Sequence, residues 1–427
     1  MTPGTDYPSY HVLMLAPDCY MIDRRILQEA RALTRSGYRV TLLSGFECPR
    51  EEHYLQDGIA IHRYTYDWDD ERLKKLRACL PASPLLQRWL NKTFMWTARR
   101  LLSASPFDTF VLSKARQYVA DIIHVHDLPC LRYGVQLAAE WGALLVFDAH
   151  EIYYEQESLP RRVQRALRRE EQRLVRHTRL FITVNQAIAD WYHERYAIQP
   201  LVLMNCTETP SGVCVSESRA LLRHTADLPP QSRVVLYQGW ISSERNLATF
   251  VQCAEYLPED AYVILIGYGA YEQALQALLE TKAWQHKVRF LGRIEPEQIL
   301  CFTAGADVGV IPYLPIDLNH TLCSPNKFFE YVQSGVPVIA HDLPFFRHMA
   351  QQHGVVAVGD LTTPQKMAQV ITAVLKQAER LCAMREACQE ATKTLNWEVE
   401  ARKLLDAYTR LTLMDGSMGS HQVSPKD

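Results

Sequence analysis

The segment Ser324-Pro325-Asn326-Lys327-Phe328-Phe329-Glu330-Tyr331, followed by Gly335-Val336-Pro337-Val338-Ile339, reads as a loop, a short helix, a tight turn and a buried strand. Ser324 suits the N-cap and Pro325 the first helical position, where a missing N–H costs nothing. Asn326 and Lys327 then fall in the first turn, where free backbone amides and the helix dipole favour an anion. Glu330 follows one turn after Asn326, on the same side. A cation, free amides and one carboxylate at a helix start suit a diphosphate joined to a hydroxyl-bearing sugar, the chemistry of a nucleotide sugar. An ordinary capped helix in an α/β domain is the plainer alternative.

A second group lies in the first half. Asp121-Ile122-Ile123-His124-Val125-His126-Asp127 ends an apolar strand in polar residues, and Phe147-Asp148-Ala149-His150-Glu151 ends another in the same manner. His124 and His126 share a face, because side chains alternate along a strand. Histidine can accept a proton, or donate one, near neutral pH. An HxH pair near carboxylates also has plausible metal-ligand spacing, and strand-end residues can simply satisfy backbone groups. Tyr237-Gln238-Gly239 ends a third strand, and its glycine would let backbone approach a ligand closely. Arg245 follows at the next helix and could grip phosphate through two parallel hydrogen bonds.

Taken together, these motifs resemble the GT4-type retaining glycosyltransferases (glycosyl transferases group 1), in particular the subset with a Pro-Asn-Lys signature, from Tyr10 to about Leu411. The resemblance implies the GT-B fold: α/β, two Rossmann-like doubly wound domains facing a central cleft. It implies that Glu330 holds the ribose hydroxyls, while Gly239, Arg245, Ser324, Asn326 and Lys327 face the diphosphate. Arg293 and Ile294, in Leu291-Gly292-Arg293-Ile294, would contact the nucleobase, and the glycines of Ile266-Gly267-Tyr268-Gly269 would shape the cleft wall. His126 would be the main catalytic-site residue beside the transferred sugar, with Asp127 orienting it or the acceptor and His150 and Glu151 lining the same cleft. Arg24 lies in the loop that such enzymes commonly place under the donor. The nucleotide-diphosphate sugar, UDP- or GDP-linked, is expected as co-substrate, with no metal and no other cofactor. Two positions depart from the pattern: Trp240 replaces the first arginine of the phosphate clamp, where Lys327 could substitute. Leu322 replaces a sugar-touching glutamate, leaving Asn319, His320 or backbone amides to meet the sugar.

The elements that must position these residues follow from short apolar runs alternating with helical stretches, which imply parallel sheets covered by helices. At 427 residues the chain exceeds one ordinary core, so two domains are expected. Strands are expected at 11–15, 39–43, 59–64, 122–125, 144–147, 180–184 and 202–204, and again at 234–237, 262–266, 288–291, 308–311, 336–340 and 355–358. A Ser/Thr/Pro/Gly-rich stretch at 206–218 reads as the linker. The expected division is 1–205 for the acceptor-side domain, 206–395 for the donor domain, 396–413 for a helix crossing back onto the first domain, and 414–427 for a disordered tail.

Hydrophobic residues at 48% and charged ones at 22% describe a globular chain, and a net charge of −2 gives no reason to expect nucleic acid. Eleven cysteines without CxxC spacing suggest reduced thiols in a cytoplasmic protein. Met1 to Tyr10 is polar and lacks a basic region followed by an apolar core, so no secretory signal is expected, and no apolar run nears the ~20 residues that span a bilayer. Membrane contact would be peripheral, at the inner face of the cytoplasmic membrane. Arg161 to Arg179 carries eight arginines against two glutamates, and Arg88 to Arg100 is basic and aromatic. Either could lie on an anionic surface and bring a carbohydrate or lipid-linked acceptor to the cleft, or be the solvated side of a packed helix. By family analogy the product is a bacterial surface polysaccharide or glycolipid. The rival readings are a catalytically silent GT-B scaffold in a polysaccharide assembly complex and a GT-B nucleotide-sugar epimerase.

Overall fold

A run such as His11-Val12-Leu13-Met14-Leu15 has no polar alternation and must be covered on both faces. All six residues of β1 (His11–Ala16) are buried. A computed structural model describes residues 10–67, 106–155, 159–208 and 214–419. In the first domain β2 (Arg39–Ser44), β3 (Glu52–Gln56), β4 (Ile59–Arg63), β5 (Ile122–His126), β6 (Leu144–Ala149), β7 (Leu180–Thr183) and β8 (Leu201–Val202) join β1 in the order β3-β4-β2-β1-β5-β6-β7-β8. Every pairing is parallel except β3 with β4, a hairpin closed by Asp57 and Gly58, both at positive φ. This antiparallel edge was not expected from sequence: β3 is almost wholly exposed, so it lacks the apolar run that marks the other strands.

The second domain contains β9 (Arg233–Gln238), β10 (Ala261–Ile266), β11 (Val288–Gly292), β12 (Val308–Ile311), β13 (Val338–His341) and β14 (Val356–Gly359). They are all parallel and ordered β11-β10-β9-β12-β13-β14. The winding reverses between β9 and β12, and a doubly wound sheet opens a crevice beyond the strand ends at that point. The expected linker is shorter than its composition suggested. A helix already begins at Val215, and Leu222 and Ala226 join the second core.

The helix Trp397–Gly419 crosses back to the first domain, where Trp397, Leu404, Tyr408 and Leu411 pack with Val12, Met14 and Ile26. It runs past residue 413, after which the tail was expected to begin; 420–427 lie outside the described residues. The acidic pair Asp69-Asp70 and the basic Arg88–Arg100 segment also lie outside them.

Candidate functional site

A cleft of about 1160 Å³ is lined by residues that follow β9, β10, β11 and β12 on one side and β6 on the other. On the second-domain wall the helix Asn326–Gln333 starts one residue later than expected. Pro325 is extended (φ −69°, ψ 137°) and takes the cap position without a side-chain cap bond. Ser324 therefore does not cap the helix; its buried hydroxyl lines the cleft with no hydrogen-bond partner. Asn326 is exposed to the cleft, so the turn that carries it has room for a ligand.

Glu330 sits at the junction of the two domains. One oxygen accepts from Gln238 Nε2, whose amide is oriented by Thr303 Oγ1 donating to Gln238 Oε1 at 2.7 Å. The other pairs with Arg24 Nη1 of the first domain at 2.8 Å. Lys327 is buried between the rings of Tyr237 and Tyr313, at 4.5 and 4.7 Å, and donates to both hydroxyls. Burial pushes its pKa down. Arg245 stacks on Tyr313 at 4.4 Å, and its Nε is buried without a partner. Gly239 has φ 115°, and a Cβ on Gly267 would stand 1.9 Å from the Gly239 carbonyl oxygen. These two loops can touch only as glycines. Arg293 and Ile294 also line the cleft, with Arg293 over the ring of Tyr268 at 5.3 Å. Trp240, the residue that departs from the clamp pattern, meets Tyr268 edge-on at 5.2 Å and forms an aromatic wall there.

Leu322 has a structural reason. Together with Leu318, one turn away on the helix Leu318–Leu322, it packs against the core of the first domain. Asn185 Nδ2 donates to the Leu322 carbonyl at 2.7 Å. Asn319 donates to Glu151 Oε2 at 2.7 Å and accepts from the Ile152 amide at 3.3 Å. Asn319 therefore joins the domains while lining the cleft. His320 lines the cleft and bonds Asp317 Oδ1 at 2.9 Å.

On the first-domain wall His150 and Glu151 reach the cleft, but His126 does not. His126 is fully buried behind His150, with Nδ1 3.2 Å from His150 Nε2. The alternation that put His126 and His124 on one face turned both inward; burial lowers His126 to about 4 and keeps it neutral. His150 is the opposite case. Burial disfavours its charge, but Asp127 and Asp148 outweigh that and raise it to about 10. Asp127 has φ 59°, strained for a residue with a side chain, and accepts from the His150 backbone amide at 3.0 Å. Burial raises Asp127 to about 7.

Behind these groups Arg25 forks onto Asp148 at 2.9 and 3.0 Å and reaches Glu29 Oε1 at 2.9 Å. Glu29, His124, His126 and Asp148 bring possible metal-ligand atoms within 4.8 Å of one another. The guanidinium already supplies a cation to both carboxylates there. Burial alone would raise Asp148, yet Arg25 and His150 hold it well below the usual carboxylate range. Tyr408, from the crossing helix, closes the network on His124 Nδ1 at 2.8 Å.

Family comparison agrees with this two-walled arrangement. The description "Glycosyl transferase 4-like domain" matches residues 22–204, and "Glycosyl transferases group 1" matches residues 232–377. The chain belongs to the group 1 glycosyltransferases. A D-inositol 3-phosphate glycosyltransferase of Xylanimonas cellulosilytica is 25% identical over 217 residues, covering 48% of this chain and 49% of that one. The match thus spans about half the length of this curated relative. Sucrose-phosphate synthase from Thermosynechococcus elongatus superposes with a TM-score of 0.69 at 17% identity, covering 95% of this chain and all of that one. Anabaena HepE in complex with UDP and glucose gives 0.66 at 15% identity, covering 94% and 100%. At such identities the likeness is of fold, GT-B.

In this glycosyltransferase Gln238, Tyr237, Tyr313 and Arg25 serve the site without having been singled out from sequence. Gln238 and Tyr237 stood in a motif read only for its glycine. Beyond Glu29, one turn away, the partners of Arg25 include Asp148 and the Leu203 carbonyl, more than 100 residues distant, and nothing local marks those contacts.

Proposed function

We propose that this protein moves a sugar from a nucleotide-diphosphate sugar to a hydroxyl acceptor with retention, in building a bacterial surface polysaccharide or glycolipid. The reading rests on the convergence of Glu330, Lys327 and Arg245 on one cleft wall, opposite His150 on the other. Glu330 exchanges Arg24 for the ribose hydroxyls, which leaves Arg24 free beside the diphosphate. Arg245 and Lys327 stabilise the negative charge that grows on the leaving phosphate. Charged His150 donates to an oxygen of the transferred sugar. The acceptor oxygen bonds to the anomeric carbon on the face the phosphate leaves, and its proton passes to that phosphate oxygen. No other cofactor enters this scheme. The exposed arginines of the helix Arg161–Leu174 support a peripheral contact with an anionic membrane. No described helix is long and apolar enough to cross one.

The test is calorimetric titration with UDP and GDP, beside turnover of a UDP- and GDP-sugar panel. UDP comes first, since HepE, of the same fold, holds UDP and glucose. Glu330→Ala and Lys327→Ala should each weaken nucleotide binding about tenfold or more, as expected for losing a hydrogen bond to a charged group, with the fold intact. Unchanged affinity in both variants would contradict the donor assignment. A silent scaffold, which Trp240 and the docked Leu322 favour, would bind nucleotide yet turn nothing over.

A further inference from the structure

A second cavity, of about 390 Å³, opens between the helices Arg161–Leu174 and Gln186–Tyr196 and is lined by Arg168, Gln172, Trp191, Glu194, Arg195 and Tyr196. Arg168 and Gln172 are one turn apart, so both face it from the same side of their helix. The guanidinium of Arg195 lies on the face of Trp191 at 4.5 Å, which holds that cation in place, and its Nε is buried without a hydrogen-bond partner. Beneath the cavity, buried Glu171 accepts from Tyr192 at 3.2 Å and from Tyr196 at 2.7 Å, so its oxygens are engaged by hydroxyls. Glu194 is the one acid in the lining, against two arginines. The flanking Arg161, Arg162, Arg165, Arg169 and Arg173 are exposed on the same helix and extend the positive field. Ile188, on the helix of Trp191 and Arg195, lines the main cleft. At 1.5 Å per residue it is roughly 10 Å along the axis from Arg195.

Two guanidinium forks and an amide against an aromatic face suit an oxyanion with several acceptor oxygens. We infer that this cavity binds the phosphate of a phosphate-bearing acceptor whose hydroxyl-bearing part extends past Ile188 into the cleft. The inference rests on the transferase reading for its purpose, but not for the binding event. The phosphate could belong to a lipid headgroup or to a soluble phosphate ester; the chemistry recognised is the same.

The experiment titrates full-length protein with glycerol 3-phosphate, and separately with phosphatidylcholine vesicles with or without phosphatidylglycerol. Wild type is compared with Arg168→Ala/Arg195→Ala and with Arg161→Ala/Arg162→Ala, which removes equal charge from outside the cavity. For glycerol 3-phosphate the cavity variant should lose at least tenfold in affinity and the control less than twofold; on anionic vesicles, which Arg161 and Arg162 also meet, the cavity variant should lose more than the control. Arg195→Lys, which keeps the charge but not the fork, should fall between. Binding of the ester alone assigns a soluble source; binding of the anionic vesicles alone, or of both probes, assigns a lipid. Equal losses in the two double variants would mean a diffuse electrostatic surface and overturn the site, as would no binding of either probe by wild type at millimolar phosphate. UDP is titrated in parallel. Failure of wild type to bind UDP would remove the transferase reading while leaving the phosphate result to stand or fall separately.

Discussion

His150 differs from its neighbours in both access and charge. It alone of the three clustered imidazoles reaches the cleft, and it alone is held charged, because Asp127 and Asp148 face it from either side. His150→Gln should therefore lower turnover about 100-fold, as expected for losing one preorganised charged hydrogen-bond donor in the transition state, with UDP affinity within twofold of wild type. Since the imidazolium persists to about pH 10, turnover should hold through neutral pH and fall as pH rises toward that value. In Asp127→Asn one stabilising carboxylate is gone, and the fall should move to lower pH. Rate–pH profiles of both proteins check this; superimposable alkaline limbs would exclude His150 as the titrating group.

Individual elements carry two duties here: they build the sheet cores and they hold the walls of the cleft. The helix Arg24–Arg35 packs on the first sheet through Ile26, Ala30 and Leu33, while Arg25 on it neutralises Asp148 at the end of β6. Arg25→Ala removes the cation that buried Glu29 and Asp148 share, leaving Asp148 to His150 alone, and should cost about 3–5 kcal/mol in denaturant unfolding. A loss below about 1 kcal/mol would mean that Asp148 takes up a proton cheaply instead. The short helix Leu318–Leu322 belongs to the second domain by sequence but rests Leu318 and Leu322 on the core of the first. Leu322→Asp places a charge against that apolar surface and should open the interface, seen as a larger radius of gyration in small-angle scattering. An unchanged radius would show that Arg24–Glu330 and Asn319–Glu151 hold the domains together without it.

At the scale of the whole molecule, stability should carry a pH signature from Glu171, which burial raises to about 7 despite its tyrosine partners. A carboxyl whose folded pKa is raised contributes fully below its unfolded value, near pH 4.5, and that contribution is lost as pH rises through 7. Glu171→Gln has no proton to lose, so its melting temperature relative to wild type should climb by a few degrees between pH 5 and pH 8. A difference that stays constant with pH would show that Glu171 is ionised throughout. The crossing helix Trp397–Gly419 makes such effects global, because it adds Leu404, Tyr408 and Leu411 to the first domain's core from the far end of the chain.

How much of this was legible differs from residue to residue. The strands were readable because doubly buried runs leave no polar position to misplace, and Glu330, Lys327 and Arg245 were readable as cleft-lining residues because their motifs are local. Exposed β3 gave no apolar signal, and the linker's turn-rich composition hid a helix. His126 and His150 looked equivalent in sequence, each a histidine at the end of a strand.

From the order of residues alone come two α/β domains, a cleft segment around Asn326–Glu330 and the family itself, since each depends on periodicity or on contacts within a few residues. Tertiary structure alone decided that His150 rather than His126 meets the cleft, that Arg24 holds Glu330, and that Leu322 and Asn319 join the domains. Those outcomes turn on burial and on partners more than 100 positions apart, and neither quantity is written in local spacing.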